Sequence, residues 1–307
     1  MSMGRLPLAV IGAGVLSLLA GGLLVWALRP ESVGVDYLAS VVLVSWSLPV
    51  FGVVATRVLT GRFGDRRALD ARVRTALAAH PLQRQLLSLG VFLCCCVALM
   101  AVMERVLSDL SLEMGTALTA PADLAARLLF LLALPVLVMD RSGVVLDGRG
   151  TRMPPIALKV TEGWRWSGLV PALVTMALLA ALVPAPSSPW ASPPVVFGVL
   201  FSYLLITVSE EVFFRGMVQT RLELMLGRWP GIIGASGLFA LFYGAVQPTI
   251  SLAALPSDEA LYRAGLALLT YAPLGLLCGY LWSCFRNTWV NVITRMGLMT
   301  IAFPPTL

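Results

Sequence analysis

Charge is scarce in this sequence. Only 12% of its 307 residues are Asp, Glu, Lys or Arg, about half the share that a soluble domain carries. A chain of this length has too few charges to solvate a water-facing surface. Histidine is scarcer still. His80, in front of Pro81, is the only one, and it reads as an ordinary surface residue. The five cysteines, Cys94, Cys95, Cys96, Cys278 and Cys284, all lie in or beside apolar runs. Three in succession point in different directions around a helix, which excludes a chelating face, so they read as small buried hydrophobes. Zinc needs several convergent ligands, and no such set is present. There is no glycine-rich phosphate loop, no ordered nucleic-acid face, no internal repeat and no soluble stretch large enough to fold alone. No cofactor, metal or nucleic-acid partner is therefore expected.

What the chain does have is apolar length. Hydrophobic residues make up 58% of it, and the mean hydropathy is +0.88. The runs do not alternate as barrel strands would. Lipid demands that backbone polar groups be paired within each segment, so the expected fold is an all-α integral membrane protein, a polytopic bundle forming one domain over 1–307. Nine candidate spans fall near 7–28, 37–56, 86–103, 124–139, 167–185, 195–217, 230–247, 263–284 and 287–304. Asn291 and Arg295 interrupt the ninth, so eight spans is the alternative. The first run is followed by Arg29-Pro30-Glu31 without a small-x-small site and reads as an uncleaved span.

Loop charges supply an independent test. The segment 57–85 holds Arg57, Arg62, Arg66, Arg67, Arg72, Arg74 and Arg84 against Asp65 and Asp70. The segment 140–166 holds Arg141, Arg149, Arg152, Lys159 and Arg165. Between them, 104–123 is mostly acidic. The proline-rich link 184–194 has no charge, and 247–261 holds only Asp258 and Glu259. Basic and non-basic loops alternate, and the positive-inside rule then predicts a cytoplasmic N-terminus with 57–85 and 140–166 as cytoplasmic loops. Within 57–85, Leu69, Val73, Leu77 and Leu82 give a partial apolar side. The segment is either a solvated loop or a helix lying on the anionic leaflet.

Ionised side chains in hydrocarbon are costly and should be paired and turned inward. The sixth run contains Ser209, Glu210, Glu211 and Arg215. Glu211 and Arg215 are spaced for an ion pair on one helix face, and Glu210 points about a quarter-turn away. Two carboxylates side by side in low dielectric make one a candidate general base. The other reading is that the cluster marks the end of the span and faces headgroups. The seventh run carries Gly231, Gly234, Ala235, Gly237, Gly244 and Tyr243, the eighth Gly275, Gly279 and Tyr280. Such small residues permit close helix approach. In the ninth, Asn291 and Arg295 share a face, and Arg295 is placed to pair with Glu210 or Glu211 if the run is buried rather than interfacial.

These residues, in this order, resemble the CPBP family, which groups CAAX prenyl endopeptidases with bacteriocin-processing membrane proteins. Glu210-Glu211-Val212-Phe213-Phe214-Arg215 matches the family's EExxxR motif, with Gly216 following. Phe239 to Tyr243 stands at FxxxH. Gly275 to Trp282, then Asn287-Thr288-Trp289, resembles the lead-in to HxxxN. The resemblance covers 195–304. It implies a first glutamate that activates water, histidines that complete a polar cavity, a second glutamate and an arginine that support the helix, and membrane-associated or lipidated peptide substrates.

At three of those positions the chain differs. Tyr243 and Arg295 stand where the two histidines are expected, and Met299 stands for the asparagine. A carboxylate held by a guanidinium is a poorer base, and loss of a group acting in the transition state costs about 10²–10⁴ in rate. The expected function is that of a degenerate family member, a scaffold, regulator or accessory partner with weak or no peptidase activity. The alternative is an active intramembrane glutamic endopeptidase with Glu210 as base. A third reading is a lipid-handling or transport component. Expected site residues are Glu210, Glu211, Arg215, Tyr243 and Arg295. Expected partners are membrane lipids and another membrane protein or lipidated peptide, at the cell membrane.

Overall fold

A computed structural model describes residues 35–60, 66–110, 121–139, 151, 153–183, 191–246 and 260–305. The first predicted span, 7–28, lies outside the described residues, as do 140–150 and 247–259. Among the described residues the regular structure is helical, with no strand. The helices are α1 (Val35–Thr60), α2 (Arg66–Leu77), α3 (Leu82–Leu110), α4 (Pro121–Met139), α5 (Met153–Leu158), α6 (Gly163–Leu182), α7 (Pro193–Leu226), α8 (Arg228–Val246), α9 (Ala260–Phe285) and α10 (Thr288–Ala302). Six of them, α3, α4 and α6 to α9, are long and apolar enough to cross a membrane. A bilayer core needs roughly 20 helical residues. At 15 residues, α10 is short of that length.

The centre of the bundle is α9. Of its spanning window 61% is buried, against 22% for α3 at the periphery. Helix α9 packs against α8 and α1, α7 against α4 and α10, and α6 against α1 and α10. Small residues make the closest crossings possible. A Cβ on Gly275 would lie 2.9 Å from Ser236 Cβ and 3.0 Å from its Cα, and one on Gly231 would meet the Glu223 backbone at 2.6 Å. The predicted small-residue face is only partly used, since a Cβ on Gly237 would meet nothing within 4 Å.

Two breaks set the register of the site helices. Helix α7 ends at Gly227, whose φ of +96° needs a residue without a Cβ, and α8 starts at once. Between α9 and α10, Arg286 takes a left-handed φ of +47°, and Asn287 caps α10 by accepting from the Trp289 N–H at 3.0 Å. Arg165, buried at the start of α6, braces this turn. Its Nε donates to Phe285 O at 2.7 Å and its Nη2 to Ile156 O at 2.6 Å and to Arg286 O.

Within 57–85, residues 66–77 form α2, whose apolar side, with Leu69, Val73, Ala76 and Leu77 buried, faces the protein. Val73, Ala76 and Leu77 join Met153, Ala157 and Trp282 in a small core. His80 lies in the turn after it, its N–H bonded to Leu77 O at 3.1 Å. The expectation of five buried cysteines needs correction. Cys96, Cys278 and Cys284 are buried, but Cys94 and Cys95 are exposed. Consecutive residues spread around α3, and that helix turns only one side to the bundle.

Candidate functional site

The centre of α7 is not α-helical. After Glu210 the chain winds as a π-helix over Glu211–Gln219, and α4 has its own π-segment at Leu128–Ala133. Wide turns of this kind cluster at functional positions. Here they stand face to face. Glu210 is the last residue before one, and Arg127 the last before the other.

Glu210 is fully buried and held from three directions. Arg127 Nη1 donates to Oε1. Arg295 Nη2 donates to Oε2 at 2.5 Å, and the Tyr243 hydroxyl donates to the same oxygen at 2.7 Å. Arg295 bridges the two carboxylates, with Nη1 donating to Glu211 Oε1 at 3.0 Å. Asn291 Nδ2 donates to Glu211 Oε2 at 3.0 Å and to Cys278 O at 3.0 Å. Arg215 Nε stands 3.5 Å from Glu211 Oε2 as an ion pair without a hydrogen bond.

An aromatic floor supports the charges. Phe239 lies under both Arg295 and Arg215, with guanidinium carbons 4.8 and 5.2 Å from its ring centre. Arg127 lies 5.1 Å from the Phe242 ring. Buried charges cost several kcal/mol each unless they are paired and hydrogen-bonded, and this arrangement supplies both pairing and cation–π contact.

All five residues expected from the sequence, Glu210, Glu211, Arg215, Tyr243 and Arg295, meet in this cluster. They are sheltered within the bundle, not turned to headgroups. Arg295 pairs with both glutamates. Met299 does not join; its sulfur lies 3.9 Å from Thr207 Oγ1. The residue that sequence reasoning missed is Arg127. Its signal was present, as an arginine one turn inside an apolar run, where an ionised group asks for a partner. A second feature lies beside the cluster. An apolar groove of about 450 Å³ opens between α4, α5, α7 and α10, lined by Leu132, Val136, Met153, Val212, Gly216 and Trp289 among others.

The site is thus a glutamate pair at a π-turn, enclosed by arginines within a helical bundle whose helices are long and apolar enough to cross a membrane. Residues 191–301 are similar to the family model described as type II CAAX prenyl endopeptidase Rce1-like. No curated protein and no solved structure matches the chain significantly.

Proposed function

We propose that this chain is a degenerate CAAX protease-like membrane protein, in which the family's leading glutamate serves as a structural anion and not as a general base. The observation that supports it is the direct bonding of Glu210 to Arg127, Arg295 and Tyr243. A general base must offer a lone pair to a water within hydrogen-bond reach. Here three protein donors occupy the carboxylate, and two carry positive charge. Protonating Glu210 would take from Arg127 the carboxylate it bonds to and leave Arg295 with Glu211 alone, so the cluster favours the ion pairs over catalysis.

On this reading the protein is a scaffold or accessory partner with eight or nine spans and its arginine-rich end in the cytoplasm. The apolar groove between α4, α5, α7 and α10 is the surface for a membrane-embedded or lipidated partner, since its lining offers area for a hydrocarbon chain.

The test is a cleavage assay on the purified full chain in detergent, with farnesylated C-terminal peptides and leader peptides. The wild type and Glu210→Gln are compared below the melting temperature of the variant. Neither is expected to release product. Cleavage by the wild type that disappears in a folded Glu210→Gln protein would instead establish an active glutamic endopeptidase.

A further inference from the structure

Away from the glutamate cluster, three arginines converge on one cavity at the end of the bundle that carries the basic segment 57–85. The cavity measures about 370 Å³ and is lined by Arg57, Thr60, Arg66, Arg228, Trp229 and Tyr280. These come from the end of α1, the start of α2, the start of α8 and the body of α9. No described carboxylate lines it. The neighbouring cavity of about 340 Å³ is different. There Asp70 and Glu223 face Arg74, Arg228 and Arg286, and Arg286 is paired with Glu223, so carboxylates of the protein answer most of the positive charge.

The three-arginine cavity also holds donors without acceptors. Arg66 Nη2 and Arg228 Nε are buried and make no hydrogen bond. Arg228 is held in place by other contacts. Its Nη2 donates to Cys284 Sγ at 3.3 Å, and its guanidinium carbon lies 5.4 Å from the ring centre of Tyr280. Tyr280 is stacked on Trp229. Positioned guanidiniums of this kind match the oxygens of a phosphate, and the start of α8 adds partial positive charge.

The surroundings indicate where that phosphate comes from. On α1, Val54 and Val58 are exposed one turn and one residue from Arg57, and Phe51 continues the stripe. On α8, Ile233 is exposed one turn beyond Trp229. Apolar surface thus runs along two helices up to the arginines, and Trp and Tyr favour the level where chains meet headgroups. A soluble phosphate would need no such tracks. We propose that this cavity binds the phosphate of an anionic phospholipid headgroup, with the acyl chains lying along α1 and α8.

The test uses the full chain in neutral detergent, titrated with dioleoylphosphatidylglycerol, dioleoylphosphatidylcholine and inorganic phosphate, with bound lipid read by native mass spectrometry. Saturable phosphatidylglycerol binding in preference to phosphatidylcholine is expected. Each basic residue near an anionic lipid is worth about 1 kcal/mol, or about fivefold in affinity. Arg228→Gln should therefore weaken binding about fivefold, and Arg66→Gln/Arg228→Gln about 25-fold. Arg57→Glu, at an exposed position, should weaken it at least fivefold without loss of folding. Arg74→Gln, in the neighbouring cavity, should leave it unchanged. Equal phosphatidylglycerol binding by the wild type, the double variant and Arg57→Glu would overturn the proposal. So would tight binding of inorganic phosphate that phosphatidylglycerol fails to displace.

Discussion

Arg127 and Glu210 lie 83 positions apart and meet across the bundle, the Nη1 of one donating to the Oε1 of the other. The pair joins side chains of two different helices and ties α4 to α7. Arg127→Gln leaves Glu210 with Arg295 and Tyr243 and should cost about 2–3 kcal/mol. Glu210→Gln removes the charge that faces both arginines and should cost more, about 3–5 kcal/mol. The double variant should be less destabilised than the sum, by about 1–3 kcal/mol. Unfolding in mixed detergent micelles measures all three. Strict additivity would mean that the two side chains do not depend on each other.

That pair also shows how far the sequence can be read. Helical class, the positions of most spans and the polar residues on α7, α8 and α10 follow from hydrophobic length and from the rule that intramembrane charges need partners. The EExxxR spacing brings Glu210, Glu211 and Arg215 into view at once. Arg127 was harder to find because it sits near the end of a predicted span, where an arginine is ordinarily a snorkelling anchor. Only the approach of α4 to α7 shows it turned inward. The π-windings were illegible for a related reason. Nothing in Glu211–Gln219 breaks an α-helix locally, and the wide turn answers to the packing around it. The fate of 57–85 depended on whether α2 found protein or lipid to cover Leu69 and Val73, which composition does not encode.

The glycines on α8 and α9 are unequal, and substitution should separate them. Gly275→Ala sets a Cβ against the Ser236 backbone at 3.0 Å, so the α8–α9 crossing must open, at about 1–3 kcal/mol. Gly237→Ala meets nothing within 4 Å and should be neutral or stabilise by up to about 1 kcal/mol through helix propensity. Melting of the two purified variants decides it. Equal losses would mean that helix approach is set elsewhere.

Arg165 governs where α10 begins. Its three carbonyl contacts, at Phe285, Ile156 and Arg286, hold the left-handed turn from which Asn287 launches the helix bearing Asn291 and Arg295. Arg165→Gln should leave buried carbonyls unpaired and cost about 2–4 kcal/mol. The loosened turn should also expose Cys284, which is 1% exposed. In a chain with Cys94 and Cys95 replaced by alanine, maleimide should label Cys284 faster in the Arg165→Gln background. Unchanged labelling and melting would show that the turn holds without this brace.

Glu162 links Arg165 to the exposed Arg72 on α2, through bonds of 3.0 and 2.5 Å. Partial burial would raise its carboxyl, but the hydrogen bonds from Arg165 and Arg72 outweigh that and hold it down, from the usual 4.5 to about 2. Between those values the unfolded chain binds the proton and the folded chain does not, so stability rises with pH across that interval. The contribution should be fully present above about pH 5 and fade as pH falls from 4.5 towards 2. Because Arg72 is half exposed, solvent screening keeps it small, about 1 kcal/mol or less. Melting temperatures of wild type and Glu162→Gln should therefore differ at pH 7 and converge on acidification. A gap that persists to the acid end, or that never existed, would show that α2 is held to the bundle by its apolar face alone.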